Sequence, residues 1–413
     1  MNVTIIGGGI IGLSSAYYLR KTGWEVTVID KGDLTDNCSW GNAGYVCPSH
    51  FIPLASPGIV KKGLRWMWNS SSPFYIQPRL NSGLINWGWK FVQSATKSNL
   101  ERSAIPLRDI ALLSQQEYLN WAGEFDFSYE HKGLLEIFQT EKNAEHAHHL
   151  VHRSKELGLD TDLLTYEELV ALEPQTMINA KGAILFRCDG HLYPDKLMRG
   201  LISKLKVMGV HLVTNEKVTR IEKVKGRIQS VVTEKNSYPS DKVVLAAGSW
   251  SREIAALMDV SIPLVAGRGY SITLEDSPFR LNHPAILLER RVAITPMDGN
   301  KIRFGGTMEV TSIGRPPRMN RVKGIINAVK TYLPEFDIAL PSPDKVWYGY
   351  RPCSADGLPY IGRTKKWENL VVATGHSMLG LSLGAGTGKL VGELLNEQQP
   401  SMDIQPFRVE RFN

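Results

Sequence analysis

The chain has 413 residues, of which 43% are hydrophobic and 22% charged, the balance of a globular protein with room for more than one domain. Its net charge of +7 is dispersed rather than gathered into a basic run, which disfavours nucleic acid and leaves a mild bias toward anionic substrates. No uninterrupted apolar stretch is long enough to span a bilayer, so the expectation is a cytoplasmic protein, at most peripheral on the inner face of the membrane.

The first thirty residues read as strand, glycine turn, helix, strand, acid. Asn2 to Ile6 is a β-branched apolar run suited to a buried strand. It leads into Gly7-Gly8-Gly9-Ile10-Ile11-Gly12, the spacing G-x-G-x-x-G. A helical pattern follows to Lys21, and Gly23 stands at the expected C-cap. Glu25 to Ile29 is a second strand, ending in Asp30 and Lys31. Gly7 allows a tight turn, Gly9 a close approach to a pyrophosphate, and Gly12 close helix–strand packing. The helix N-terminus offers N–H groups to phosphates, and Asp30 can accept from both ribose hydroxyls. These features point to a dinucleotide, without deciding between NAD and FAD.

Asn37 to Gly44 is a loop of small residues and amides, suited to close backbone approach to a ligand. Phe51 to Val92 is dense in aromatics, with Trp66, Trp68, Trp87 and Trp89. It reads as a cavity wall, a lid, a membrane-dipping surface or a Trp-rich helix pair. The pattern predicts helices over 106–121, 143–158, 165–172, 195–208 and 322–332. Thr165 and Glu168 form a capping box, and Pro194 suits a helix start. Alternation predicts strands over 127–138, 183–186, 210–214, 217–224, 226–233, 242–246, 262–274, 286–295, 301–307, 347–351, 360–361 and 370–373.

Two later stretches repeat the logic of the opening turn. Ala246-Ala247-Gly248-Ser249-Trp250-Ser251 ends an apolar strand in small residues, and so does Thr374-Gly375-His376. A helix with Gly384, Gly386 and Gly388 follows the second, so another backbone or a flat ring must lie close to it. Cys38, Cys47, Cys188 and Cys353 show no metal-binding spacing and read as reduced thiols. His146, His148, His149 and His152 lie in a polar helical stretch and read as a solvated face, so no metal is expected.

These residues together resemble FAD-dependent amino-acid and amine oxidoreductases, the superfamily of D-amino-acid oxidase, glycine oxidase and sarcosine oxidase. A narrower resemblance, to bacterial D-amino-acid dehydrogenases of the small-subunit type, rests on Asn42-Ala43-Gly44, on Ala55 to Val60 with Leu64 to Met67, on Gly269 to Thr273, and on Arg291 to Met297. It spans essentially the whole chain. The implied fold is α/β, a Rossmann-like FAD-binding domain (1–56, 190–258, 346–413) interleaved with an antiparallel-sheet α+β substrate domain (57–189, 259–345).

The resemblance implies FAD on Gly7, Gly9, Ile10, Ile11 and Gly12, with its ribose on Asp30 beside Lys31. Ser39, Asn42, Ala43 and Gly44 would line the flavin approach, and Val218 would meet the adenine. Ala247, Gly248 and Trp250 would return to the cofactor. Gly375, His376, Leu379, Gly380, Leu381 and Ser382 would bring a helix N-terminus to the flavin edge where reduction develops negative charge.

Gly349-Tyr350-Arg351-Pro352 to Gly362 resembles the family signature R-P-x-x-x-D-G-x-P-x-I-G. Arg351 would fork a substrate carboxylate, with Tyr270 and Tyr350 beside it. The implied reaction is oxidative deamination of D-amino acids to 2-oxo acids and ammonia, by hydride transfer from substrate Cα to flavin N5. Electrons would go to a quinone or another acceptor, and no acid–base residue is required. The alternative is oxidation of glycine, sarcosine or cyclic imino acids such as D-proline or hydroxyproline, with O₂ or another acceptor. Two positions depart from the family pattern: Arg268 replaces a common Lys, and Ser354-Ala355 a common Thr-Pro. Aligned on Asp356, the position of the flavin-linking cysteine of sarcosine oxidases holds Gly349, so non-covalent FAD is expected.

Overall fold

The protein, seen in a computed structural model, is described at residues 1–61, 63 and 72–412. The stretch Leu64 to Met67 and the side chains of Trp66 and Trp68 lie outside the described residues. A six-stranded sheet forms the first layer, in the order Tyr360–Arg363, Leu370–Thr374, Lys242–Leu245, Asn2–Ile6, Glu25–Ile29, His211–Val213. All its pairings are parallel except that of Tyr360–Arg363 with Leu370–Thr374. Its strands are apolar because helices cover the sheet. A three-stranded antiparallel ribbon, Val218–Val224, Arg227–Thr233 and Ser237–Pro239, is attached to it.

The second layer is a nine-stranded sheet whose longest strands are the neighbours Leu264–Leu274 and Ile302–Val310. It is antiparallel except at two pairings, Ala285–Leu287 with Leu134–Phe138 and Ile302–Val310 with Phe74–Ile76. The strand Trp347–Ser354 belongs to this sheet and pairs along its whole length with Leu264–Leu274. The expected strand over 286–295 is two, Ala285–Leu287 and Val292–Pro296, because the chain turns at Arg291 with φ 55°. Of the expected run over 127–138, only Leu134–Phe138 is strand.

The helix expected to begin at Pro106 begins at Lys97. Thr96 caps it by accepting from the Asn99 N–H, and the helix runs through Pro106 to Ala122. Sequence pattern misses its first turns because Lys97, Glu101 and Arg102 hide their periodicity. The capping box at Thr165 and Glu168 forms as expected.

The glycine-rich helix Gly384–Leu395 is wedged between two others. A Cβ at Gly388 would overlap Ser14 of the helix Ile10–Lys21, and one at Gly386 would press on Ile110 and Ser114 of the long helix. The close body is therefore helix backbone on two sides. Ser82–Ser94 carries Trp87 inward, stacked on Phe91, while Ile85, Trp89 and Val92 face solvent. No helix among the described residues is long and apolar enough to cross a membrane.

A buried ion pair joins Leu264–Leu274 and Ile302–Val310, neighbouring strands of the large sheet. Arg268 Nη2 lies 2.8 Å from Glu309 Oε2, with the two side chains 1% and 0% exposed. The Tyr270 hydroxyl donates to the same oxygen at 2.9 Å. Glu309 also pairs with Arg318 at 3.1 Å, so removing Glu309 is the change that leaves Arg268 charged, dry and without a carboxylate, at a cost of about 3–5 kcal/mol. Glu309→Ala should therefore lower the unfolding free energy by about that much. Urea denaturation of the FAD-loaded protein measures it, and a change below about 1 kcal/mol would show that the pair is not buried as described.

Candidate active site

Parallel strands leave their C-terminal ends at one edge of a sheet, and the loops there are the customary ligand site of such folds. Here Ile6 pairs beside both Ile29 and Leu245, and Leu245 beside Val372. The turns after these four strands, beginning at Gly7, Asp30, Ala246 and Gly375, thus share one edge. Gly7 has φ 115°, and a Cβ there would overlap the Ala246 carbonyl. A Cβ at Gly12 would overlap the Gly7 carbonyl oxygen. The glycines let three chain segments meet with backbone exposed to a ligand.

A cavity of about 960 Å³ opens from this edge and runs to the large sheet. At one end, Gly7, Gly9, Ile10, Ile11, Asp30 and Lys31 line it, with Val218, Ala247, Gly248 and Trp250 facing them. Asp30 accepts from the Gly8 N–H at 2.6 Å and the Gly32 N–H at 2.8 Å. Burial raises its pKa, against the pull of those two bonds. Lys31 sits 3.4 Å over the Trp250 ring, and burial lowers its pKa. Further along, Ser39, Asn42 and Ala43 line the cavity, as do His376, Leu379, Gly380, Leu381 and Ser382.

Ser39 Oγ accepts from the Ile10 N–H. Ser271, Thr295 and Arg303 bond the carbonyls of Gly41, Ala43 and Asn42, pinning that loop to the large sheet.

Gly12, Gly44 and Gly375 do not line the cavity. Gly12 lies under the turn, Gly44 against Leu192, and Gly375 against the Tyr360 ring. Their work is backbone packing behind the wall. His376 is buried, bonded through Nε2 to Thr387, and burial holds its pKa down at about 3, so it is neutral.

At the far end stands Arg351. Its guanidinium lies over Gly269, where a Cβ would collide with it. Nη1 donates to the Thr307 carbonyl at 2.5 Å. No carboxylate pairs with Arg351 among the described residues, and burial lowers its pKa. Tyr270 reaches the cavity wall, but its hydroxyl donates to Glu309 and accepts from the Arg318 N–H at 3.0 Å. Its one proton is committed, so it has none for a substrate carboxylate. Tyr350 neighbours Arg351 in a strand and so points to the other face. There its hydroxyl accepts from the Gly314 N–H, and its ring packs edge-on to Trp250. Tyr270 thus shares the cavity with Arg351, whereas Tyr350 does not line it.

Several lining residues carry no local motif. Trp347, Ser271, Gly305, Ala293, Ile286 and Glu136 pair in one row across six strands and floor the cavity. Their alignment is a matter of register between distant segments, which no local pattern announces. Cys47, His50 and Asp189 bring ligand-type atoms within 4.8 Å of one another, whereas the expected solvated histidines lie along the helix Glu141–Glu156. Ser49 donates to Asp189 through both its N–H and its hydroxyl.

The sequence matches the model of the FAD dependent oxidoreductase family DAO over residues 2–394. The chain belongs to this family. It is 30% identical to a protein of Neisseria meningitidis serogroup C named D-amino acid dehydrogenase, with all of each chain covered. The fold is similar to glycine oxidase from Geobacillus kaustophilus, with a TM-score of 0.80, 22% identity, and 99% and 98% of the two chains covered. It is also similar to L-proline dehydrogenase from P. horikoshii, with a TM-score of 0.78, 19% identity, and 100% and 97% covered. FAD is the cofactor of this flavoenzyme, and the cavity suits it. The helix Ile10–Lys21 begins on Gly9 with no side-chain cap. Thr307 Oγ1 and His376 Nδ1 are buried at the far wall with no hydrogen-bond partner among the described residues. Unmet polar atoms of this kind call for a polar ligand.

Asp30→Ala should weaken FAD binding about tenfold or more, the worth of hydrogen bonds to a charged acceptor. Flavin fluorescence titration of the apoprotein measures this. Unchanged affinity would place the ribose elsewhere.

Proposed function

We propose that the enzyme deaminates D-amino acids oxidatively to 2-oxo acids and ammonia, with Arg351 as the carboxylate anchor. The observation that carries this reading is Arg351 itself, a guanidinium in a cavity wall with no carboxylate paired to it among the described residues. It has five donors, of which one goes to Thr307. A buried unpaired cation is unfavourable until an anion arrives, and a forked guanidinium matches a carboxylate. The D-amino acid class follows the name of the Neisseria relative.

We assign the pyrophosphate to the turn Gly7–Gly12, the ribose to Asp30, the adenine to the strand at Val218, and the flavin edge to the segment His376–Ser382. The flavin is read as held without a covalent bond because the family's linking position holds Gly349, while Cys353 is buried against Met308, outside the cavity lining. When bound, FAD supplies the two-electron acceptor for the substrate Cα–H.

The chain's own work is placement. Arg351 fixes the carboxylate and so aims Cα. The open floor at Gly305 lets a flat group lie against the sheet. His376, held neutral, brings no competing charge. The three-segment division of the cofactor domain, 1–56, 190–258 and 346–413, is retained, and the pairing of Trp347–Ser354 with Leu264–Leu274 supports starting its last segment after Ser354 instead. The electron acceptor is a quinone at a membrane surface, supported by Leu80, Ile85, Trp89 and Val92, exposed on and beside one helix.

A second reading, oxidation of glycine, sarcosine or cyclic imino acids with O₂, is favoured by the names of the fold neighbours and by the same open floor. Peroxide release separates it from quinone or dye reduction.

Arg351→Ala should cut kcat/KM for D-amino acids by about 10²–10³, the worth of a desolvated charge pair, while FAD content stays at wild type. Arg351→Lys should recover part of the loss, since a point charge replaces a fork. Steady-state dye reduction measures both. Unchanged kinetics in the Ala variant would remove Arg351 from the site.

A further inference from the structure

The cavity has a second charged end that the cofactor and Arg351 leave unused. Glu136 closes the floor row, three strands beyond the strand that holds Thr307. Adjacent strands lie ~4.8 Å apart, so roughly 14 Å of sheet separates the two positions. Glu136 is buried, yet its carboxylate lines the cavity and accepts no hydrogen bond among the described residues. Arg291 lines the same end, from the tight turn between Ala285–Leu287 and Val292–Pro296. The two side chains are not in ion-pair contact, but they share a field: burial raises the Glu136 pKa and Arg291 lowers it. His50, also in this wall, is kept neutral by burial and by Arg291, with a pKa of about 4.

This end therefore offers one anionic acceptor and one cationic donor, with no net charge. An ammonium placed there would meet Arg291, and a carboxylate would meet Glu136. An apolar side chain would leave the buried Glu136 charge dry and unpaired. A neutral group that donates on one side and accepts on the other satisfies both. We propose that Glu136 and Arg291 form the side-chain subsite of the enzyme, and that it takes an amino acid whose side chain ends in a carboxamide. The amide N–H groups face Glu136 and the carbonyl faces Arg291. The inference rests on the amino-acid reading of Arg351, whose grip on the α-carboxylate leaves the side chain free to extend along the floor row.

The test compares kcat/KM for D-glutamine, D-glutamate, D-lysine and D-norleucine within each FAD-loaded protein. Ratios within one protein cancel any loss of folded enzyme. Wild type should prefer D-glutamine over each of the others by about tenfold or more, a hydrogen bond to a charged group. Glu136→Gln should raise the glutamate-to-glutamine ratio about tenfold, because Arg291 is then unopposed. Arg291→Gln should instead raise the lysine-to-glutamine ratio. A lost fold moves neither ratio, so opposite shifts identify the subsite. Equal wild-type use of norleucine and glutamine, or unchanged ratios in both variants, would overturn it while leaving the amino-acid reading standing. If wild type turned over no amino acid, that reading would fall and the subsite with it.

Discussion

Parallel strands must end at a common edge, and at that edge backbone N–H groups have no strand partner. Everything that makes this protein a flavoenzyme is arranged around that constraint. Segments far apart in sequence finish side by side there, at Ile6, Ile29, Leu245 and Thr374. They can do so only because Gly7 and Gly12 carry no side chain at the crossing points. The glycines of the last helix serve the same end by another route. They let it press on the first helix, which holds the opening turn in place.

The other half of the cavity obeys a different rule. The large sheet supplies a flat floor, one row of residues deep, and charges at its two ends. Arg351 stands at one end with no carboxylate paired to it among the described residues. Glu136 and Arg291 line the opposite end. The charges that do pair within the sheet, Arg268 and Glu309, are sealed inside it and engage Tyr270. That division separates structural charge from charge left available to a ligand.

What was legible in the sequence was local. The turn Gly7–Gly12, the acid at Asp30 and the Arg351 signature each lie within a few residues, and each stands where its spacing implies. The capping box at Thr165 is of the same kind. What was not legible depended on distant partners. Tyr270 is engaged by Glu309, 39 residues away. Glu136 enters the cavity floor through pairing with Ile286. Gly44 and Gly375 read as cofactor contacts because they sit in the right loops, yet they face Leu192 and Tyr360 behind the wall. Pro106 read as a helix start because the polar turns before it carry little hydrophobic pattern.

The central claim is that Arg351 holds a D-amino acid by its carboxylate against a bound flavin. The most direct measurement is anaerobic mixing of the purified FAD-loaded protein with the D- and L-enantiomers of one amino acid, following the visible flavin absorbance. The account predicts that the D-enantiomer bleaches the flavin within the mixing experiment and the L-enantiomer does not. Bleaching by the L-enantiomer alone, or by no amino acid at all, would contradict it.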